Sequence, residues 1–223
     1  MTDAPRAPIG DPADAHADPA ADAIAIVLLA AGGSTRFGSP KQLLPFRGRT
    51  LLRHAAEQAA ASRGRPVVVV LGASADACAE QVADLGVRVV RNDLWTEGMA
   101  SSIRVGLDDV DRVAPHADGV LLMLGDQPLV STALIDSVID ARRRTRQPMA
   151  AVQYPDGALG VPAVFARACF DDLRRLTGAS GAQGLLRRDA SRVAAVASEQ
   201  PALDVDTPEE YERLLRSVRD PLQ

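Results

Sequence analysis

Lysine is nearly absent: of the 25 lysines and arginines in 223 residues, only Lys41 is a lysine. Cysteine and histidine are almost as scarce, at two and three copies. Cys78 and Cys169 share no C-x-x-C spacing and have no histidine nearby, which excludes a disulfide framework and a Cys/His zinc site and leaves two buried thiols as the expectation. No apolar run approaches the roughly 20 residues of a membrane span. A basic excess is missing as well: the formal net charge is -4, which argues against nucleic acid as the main partner. His16, His54 and His116 are scattered and read as solvated surface, so no histidine is placed for acid–base work.

Residues 1–22 are rich in Ala, Asp and Pro, with neither a basic start nor an apolar stretch, and read as a disordered tail rather than a signal segment. Residues 23–218 are expected to form one domain, and the absence of membrane signals predicts a cytoplasmic protein. Apolar runs there alternate with helical patterns, the sequence form of an α/β fold with a mostly parallel central sheet and helices on both faces. The expected strands are Ala25 to Leu29, Val67 to Leu71, Val87 to Val90, Val120 to Leu124, Ala150 to Gln153, Val161 to Phe165 and Val193 to Ala197. Helices are expected near 51–62, 75–85, 99–110, 132–146 and 167–176, and a last one begins at TPEEYERLL, where Thr207 caps, Pro208 suits the first position and Glu210 closes a capping box.

The first strand runs directly into LAAGGSTRFGSPK, Leu29 to Lys41, and the carboxyl end of the first strand of an open parallel sheet is where such folds bind ligands. The loop fits neither familiar phosphate motif. Ser34 stands where G-x-G-x-x-G needs its second glycine, and Ser39-Pro40 follow Gly38 where a Walker loop needs Lys and Ser/Thr. The physics behind both motifs survives: small residues let backbone N–H groups approach an anion, and Arg36 and Lys41 supply positive charge. In a chain that otherwise uses arginine, a compact ammonium at position 41 suits a place among phosphate oxygens.

The run LAAGGSTRFGSPKQLLPFRGRTLL (Leu29 to Leu52), with LGDQP (Leu124 to Pro128) and LDVDTPEEY (Leu203 to Tyr211), resembles the three ordered motifs of MobA-like nucleotidyltransferases. The resemblance implies a Rossmann-like domain of the nucleotide-diphospho-sugar transferase type. It is nearest to molybdenum cofactor cytidylyltransferases, because Ala31 stands where guanylyl-transferring relatives have glycine. It implies transfer of CMP from CTP to the phosphate of molybdopterin with release of pyrophosphate, Mg²⁺ as cofactor, and a molybdoenzyme as a partner receiving the product.

Carried over position by position, the resemblance puts Arg36 and Lys41 on the phosphates as the catalytic cations. The nucleotide pocket would comprise Leu29, Ala30, Ala31, Gly32, Gly33, Gly72, Gly98, Ser101, Ser102 and Asp126, with Asn92 and Trp95 nearby. Asp126 and Asp206 would hold the metal, Asp204 being an alternative. The acceptor side is expected around Ala158 to Pro162 and GASGAQG (Gly178 to Gly184). A phosphate monoester is mostly a dianion at neutral pH, so the chemistry needs alignment and charge neutralisation rather than a general base. Two other readings remain: another phosphorylated acceptor (a sugar, polyol or phospholactate), or a non-catalytic cofactor carrier on the same scaffold.

Overall fold

The computed structural model describes residues 23–34 and 37–219; the expected tail, His16 and Arg36 lie outside them. β1 (Ile24–Ala30) is a seven-residue run buried on both faces. Such a run, with no polar side, demands cover above and below and pairing on both edges. It pairs in parallel with β4 (Val67–Leu71) on one edge and β6 (Gly119–Leu124) on the other. β5 (Arg88–Arg91) adds in parallel beyond β4. On the other side follow β8 (Leu159–Ala166), β7 (Met149–Gln153) and β9 (Val193–Ala197), giving the order β5-β4-β1-β6-β8-β7-β9. Only β8 runs antiparallel to its neighbours. β2 (Pro45–Phe46) and β3 (Arg49–Thr50) form a separate small hairpin.

The helices follow from their caps and apolar stripes. Thr50 accepts from the Arg53 N–H to start α1 (Leu51–Ala61), and Ser131 does the same from Leu134 for α4 (Thr132–Thr145). These two, with α2 (Ala75–Glu80), cover the face of β1 that presents Ile24, Ile26 and Leu28. α3 (Met99–Val113), α5 (Phe170–Arg174) and α6 (Gln183–Arg188) cover the face of Ala25, Val27 and Leu29. Each fully buried Ile, Leu or Val in these faces contributes about 1.5–3 kcal/mol, so two-sided cover fixes the strand register. α7 (Pro208–Arg219) begins in the capping box read from the sequence: the Glu210 carboxylate accepts from the Thr207 N–H, and the Glu210 N–H donates to the Thr207 hydroxyl. A third cluster of Phe46, Leu51, Val205 and Leu214 fastens α7 and the hairpin to α1.

Several expectations change. α2 ends at Glu80, and turns occupy the rest of the 75–85 segment. The 167–176 helix is a 3-10 turn (Arg167–Cys169) leading into the five residues of α5. Part of the glycine-rich 178–184 stretch belongs to α6. His54 is not solvated: it is buried, edge-on against Phe46, with Nε2 3.2 Å from the Pro128 carbonyl. Both cysteines are buried and free. Among the described residues no helix is long and apolar enough to cross a membrane.

The chain leaves β1 toward β4 and β5 on one side and returns to place β6 on the other. The connections therefore diverge between the carboxyl ends of β1 and β6, which opens a crevice there.

Candidate active site

The crevice is a cleft of about 440 Å³, floored by the residues that follow β1 and β6. The Gly125 N–H donates to Leu29 O at 3.0 Å and the Ala73 N–H to Ala31 O at 3.1 Å, so the end of β1 is pinned from both neighbouring strands. Beyond it, a 3-10 turn spans Lys41–Leu43. Consecutive side chains on such a turn point about 120° apart. Lys41 lines the cleft, while the buried Gln42 reaches under the β1 loop.

Gln42 is the residue that the sequence reading missed. Its Nε2 donates to Ala30 O at 3.2 Å and Gly32 O at 2.7 Å, and its Oε1 accepts from the Ser34 hydroxyl at 3.3 Å. Ser34 Oγ in turn accepts from the Lys41 N–H at 3.0 Å. One amide side chain therefore sets the shape of the Ala30–Ser34 backbone and ties it to the turn that presents Lys41. Its adjacency to Lys41 was the only signal in the sequence.

The Lys41 ammonium contacts Asp126, and its Nζ lies 2.6 Å from Asp206 Oδ1. Asp126 follows β6; Asp206 arrives from the far end of the chain, because the Val205 N–H donates to the Asp126 carbonyl at 3.1 Å and lays residues 203–206 along the loop. Burial disfavours the charge of Lys41, but the two carboxylates outweigh it and hold the ammonium above its ordinary pKa. Burial pushes the Asp126 carboxyl above the usual range; Lys41 opposes this, and Asp204 and Asp206 add to it. Asp126 Oδ1 is buried without a hydrogen-bond partner. Asp204 lines the cleft as well, and its Oδ1 accepts from Gln127 Nε2 at 2.8 Å.

Close approach shapes the opposite wall. A Cβ on Gly33 would lie 2.7 Å from the Trp95 ring, and one on Gly72 would lie 2.6 Å from Ala31 O, so Trp95 packs between these two loops while also facing the cleft. Gly98, at φ 103°, starts α3; a Cβ there would meet the Gly178 carbonyl at 2.4 Å, and Gly178 O accepts from the Ala100 N–H. That contact brings Ala179 to the cleft edge.

Of the residues expected at the site, Leu29, Ala30, Ala31, Gly32, Gly33, Lys41, Gly98, Ser102, Asp126 and Asp206 all line this cleft. Two do not. Gly72 sits behind Ala31 and Trp95, and the Ser101 hydroxyl is turned inward, donating to the carbonyls of Leu94 and Gly98. Asn92 is buried beneath, its Nδ2 bonded to the hydroxyls of both Ser101 and Ser102. The role expected of Ser101 as a contact to base or ribose is thus taken up by the packing of α3.

A mostly parallel sheet with its cleft at the β1/β6 switch point, and an ammonium and paired carboxylates inside it, defines a Rossmann-like nucleotidyltransferase. A family model for the MobA-like NTP transferase domain matches residues 26–195. Nicotine blue oxidoreductase of Paenarthrobacter nicotinovorans is 35% identical over 197 residues, covering 85% of this chain and 95% of that protein. The structure of Rv0371c from Mycobacterium tuberculosis is similar at 38% identity and a TM-score of 0.77, covering 88% of this chain and 100% of that one. The complex of Rv0371c with manganese is similar at 36% identity and a TM-score of 0.74, over 87% and 99% of the two chains. The chain belongs to the MobA-like NTP transferase family.

Proposed function

We propose that this protein transfers CMP from CTP to the phosphate of molybdopterin, releasing pyrophosphate, with Mg²⁺ or a similar divalent cation. The observation that carries the proposal is the convergence of Lys41, Asp126 and Asp206 at the mouth of the β1 loop. The backbone of Leu29 to Gly33 receives the nucleotide, and Lys41 offsets charge on the triphosphate as pyrophosphate leaves. Arg36 is assigned to the phosphates by its place in the motif. Gly98 and Ser102 face the base and ribose, and Ala31 in place of glycine favours a pyrimidine. The acceptor enters past the 177–181 loop, which reaches the cleft at Ala179 and packs on Gly98 through Gly178.

The residues present fit a divalent cation. Asp126 and Asp206 both reach the Lys41 ammonium, so their oxygens already meet around one positive charge, and Asp126 Oδ1 is buried and unsatisfied. Among the described residues no group of three or more His, Cys, Asp or Glu side chains forms a cage. A pair of carboxylates completed by substrate phosphates is how Mg²⁺ is usually held. When bound, the cation supplies charge neutralisation at the α-phosphate and the leaving pyrophosphate. The manganese complex of the mycobacterial relative supports a divalent ion in this family.

The test is pyrophosphate release from purified protein given molybdenum cofactor, Mg²⁺ or Mn²⁺, and each of the four NTPs, with sugar, polyol and lactate phosphates as alternative acceptors. Release with CTP and the cofactor is expected, falling at least about 100-fold in Lys41→Met. No release with any pair overturns the transferase reading and favours a carrier. A second reading rests on the kinship with nicotine blue oxidoreductase. It predicts bleaching of nicotine blue when an electron donor is supplied, with no pyrophosphate formed.

A further inference from the structure

We propose that Lys41 occupies the place of the divalent cation between Asp126 and Asp206 when the cleft is empty, so that metal and nucleotide bind only weakly apart and strongly together. The inference rests on the metal and triphosphate roles proposed above. Lys41 contacts Asp126 and donates to Asp206 Oδ1 at 2.6 Å, so its ammonium sits between the two carboxylates. The side chain is 14 % exposed, and the Asp126 side chain is 17 % exposed. Water therefore screens little of what passes between them.

A second cation entering that space meets the ammonium at close range, and the repulsion between them reduces its affinity. A triphosphate changes the balance. Lys41 sits on a long flexible stem at the end of a turn, and phosphate oxygens at the β1 loop offer it a new anionic partner. Once it moves there, Asp126, whose buried Oδ1 has no hydrogen-bond partner, loses the ammonium beside it, and a divalent cation takes that place against Asp126 and Asp206. The nucleotide thus raises metal affinity by a given factor, and linkage requires that metal raise nucleotide affinity by the same factor. Gln42 keeps the exchange local, because through the Ser34 hydroxyl it ties the Ala30–Ser34 backbone to the turn from which Lys41 swings.

The measurement is direct titration with Mn²⁺, read by electron paramagnetic resonance of the free ion, without nucleotide, on the wild type, Lys41→Met, Lys41→Arg and Asp126→Asn. Circular dichroism confirms folding of each. Lys41→Met is expected to bind Mn²⁺ about tenfold or more tightly than the wild type, Lys41→Arg to remain weak, and Asp126→Asn to lose binding. Once the Mn²⁺ held by CTP alone is subtracted with a protein-free control, CTP added to the wild type is expected to tighten Mn²⁺, and Mn²⁺ to tighten CTP by an equal ratio. Equal Mn²⁺ affinity in wild type and a folded Lys41→Met overturns the exchange while leaving the metal site intact. Absence of Mn²⁺ binding in every protein, with and without CTP, overturns the metal role itself and the exchange with it.

Discussion

Replacing Gln42 by leucine keeps the volume of the side chain roughly constant and removes its three hydrogen bonds, to Ala30 O, Gly32 O and the Ser34 hydroxyl. Each such bond contributes about 0.5–1.5 kcal/mol net. Gly32 is exposed, so its carbonyl recovers water, and the bond to Ser34 is long at 3.3 Å. The expected total is therefore about 2 kcal/mol, a fall in melting temperature of about 4–8 °C for a domain of this size. The functional loss is of another kind. Without Gln42 the Ala30–Ser34 backbone and the turn bearing Lys41 are no longer held together, and a displacement of about 1 Å there costs up to about 100-fold in kcat/KM. Scanning calorimetry and pyrophosphate release measure the two effects separately. Gln42→Glu should do worse than leucine, because it sets carboxylate oxygens against two carbonyl oxygens. A leucine variant that melts within about 1 °C of the wild type and turns over normally refutes the role given to this side chain.

The two neighbouring aspartates should separate: Asp206→Asn is expected to lower turnover at least about 100-fold, whereas Asp204→Asn, whose partner is Gln127, costs less than about tenfold in the same assay. Gly98→Ala combines positive φ with a clash against Gly178 O, and thermal melts should fall by the equivalent of about 1–3 kcal/mol or more. Burial lowers the folded-state pKa of His54, with the Arg47 and Arg49 charges adding to the fall and the Pro128 carbonyl opposing it. The unfolded chain then takes the proton first, near pH about 6.5. The contribution of His54 is present above that pH and is lost as pH falls toward and through the folded value. The wild type should lose more melting temperature between pH 7.5 and 5.5 than His54→Gln does, and equal slopes would contradict a buried neutral imidazole.

Strands buried on both faces were legible in the sequence because such runs as Ile24–Ala30 and Val67–Leu71 have no polar side and no alternative use. The place of β8 was not. Its antiparallel pairing with β7 is a hairpin across residues 154–158, but nothing local in LGVPAVFA states that its other edge joins β6, whose residues are more than 30 positions away. The β2/β3 hairpin turns at Arg47-Gly48, with φ 49° and 76°, and an arginine in that conformation does not announce a turn as Asn-Gly would. At the site, glycines and charges were visible because their chemistry is unusual in a loop. Ser101 misled for a related reason: a hydroxyl near a cleft looks like a ligand contact until its partners are known, and here they are Leu94, Gly98 and Asn92. Gln42 escaped notice because glutamine belongs to no single chemistry and takes its meaning from the carbonyls around it.

The bond from Val205 to the Asp126 carbonyl bears on how the protein is made as well as on how it binds. Every strand of the sheet has been synthesised by Ala197, and the crevice with its glycine loop, Lys41 and Asp126 can assemble from that length. Asp206 follows only afterwards. A nascent chain thus holds every strand of the sheet and the glycine loop before Asp206 is made, and the second carboxylate joins a crevice whose floor is already laid down.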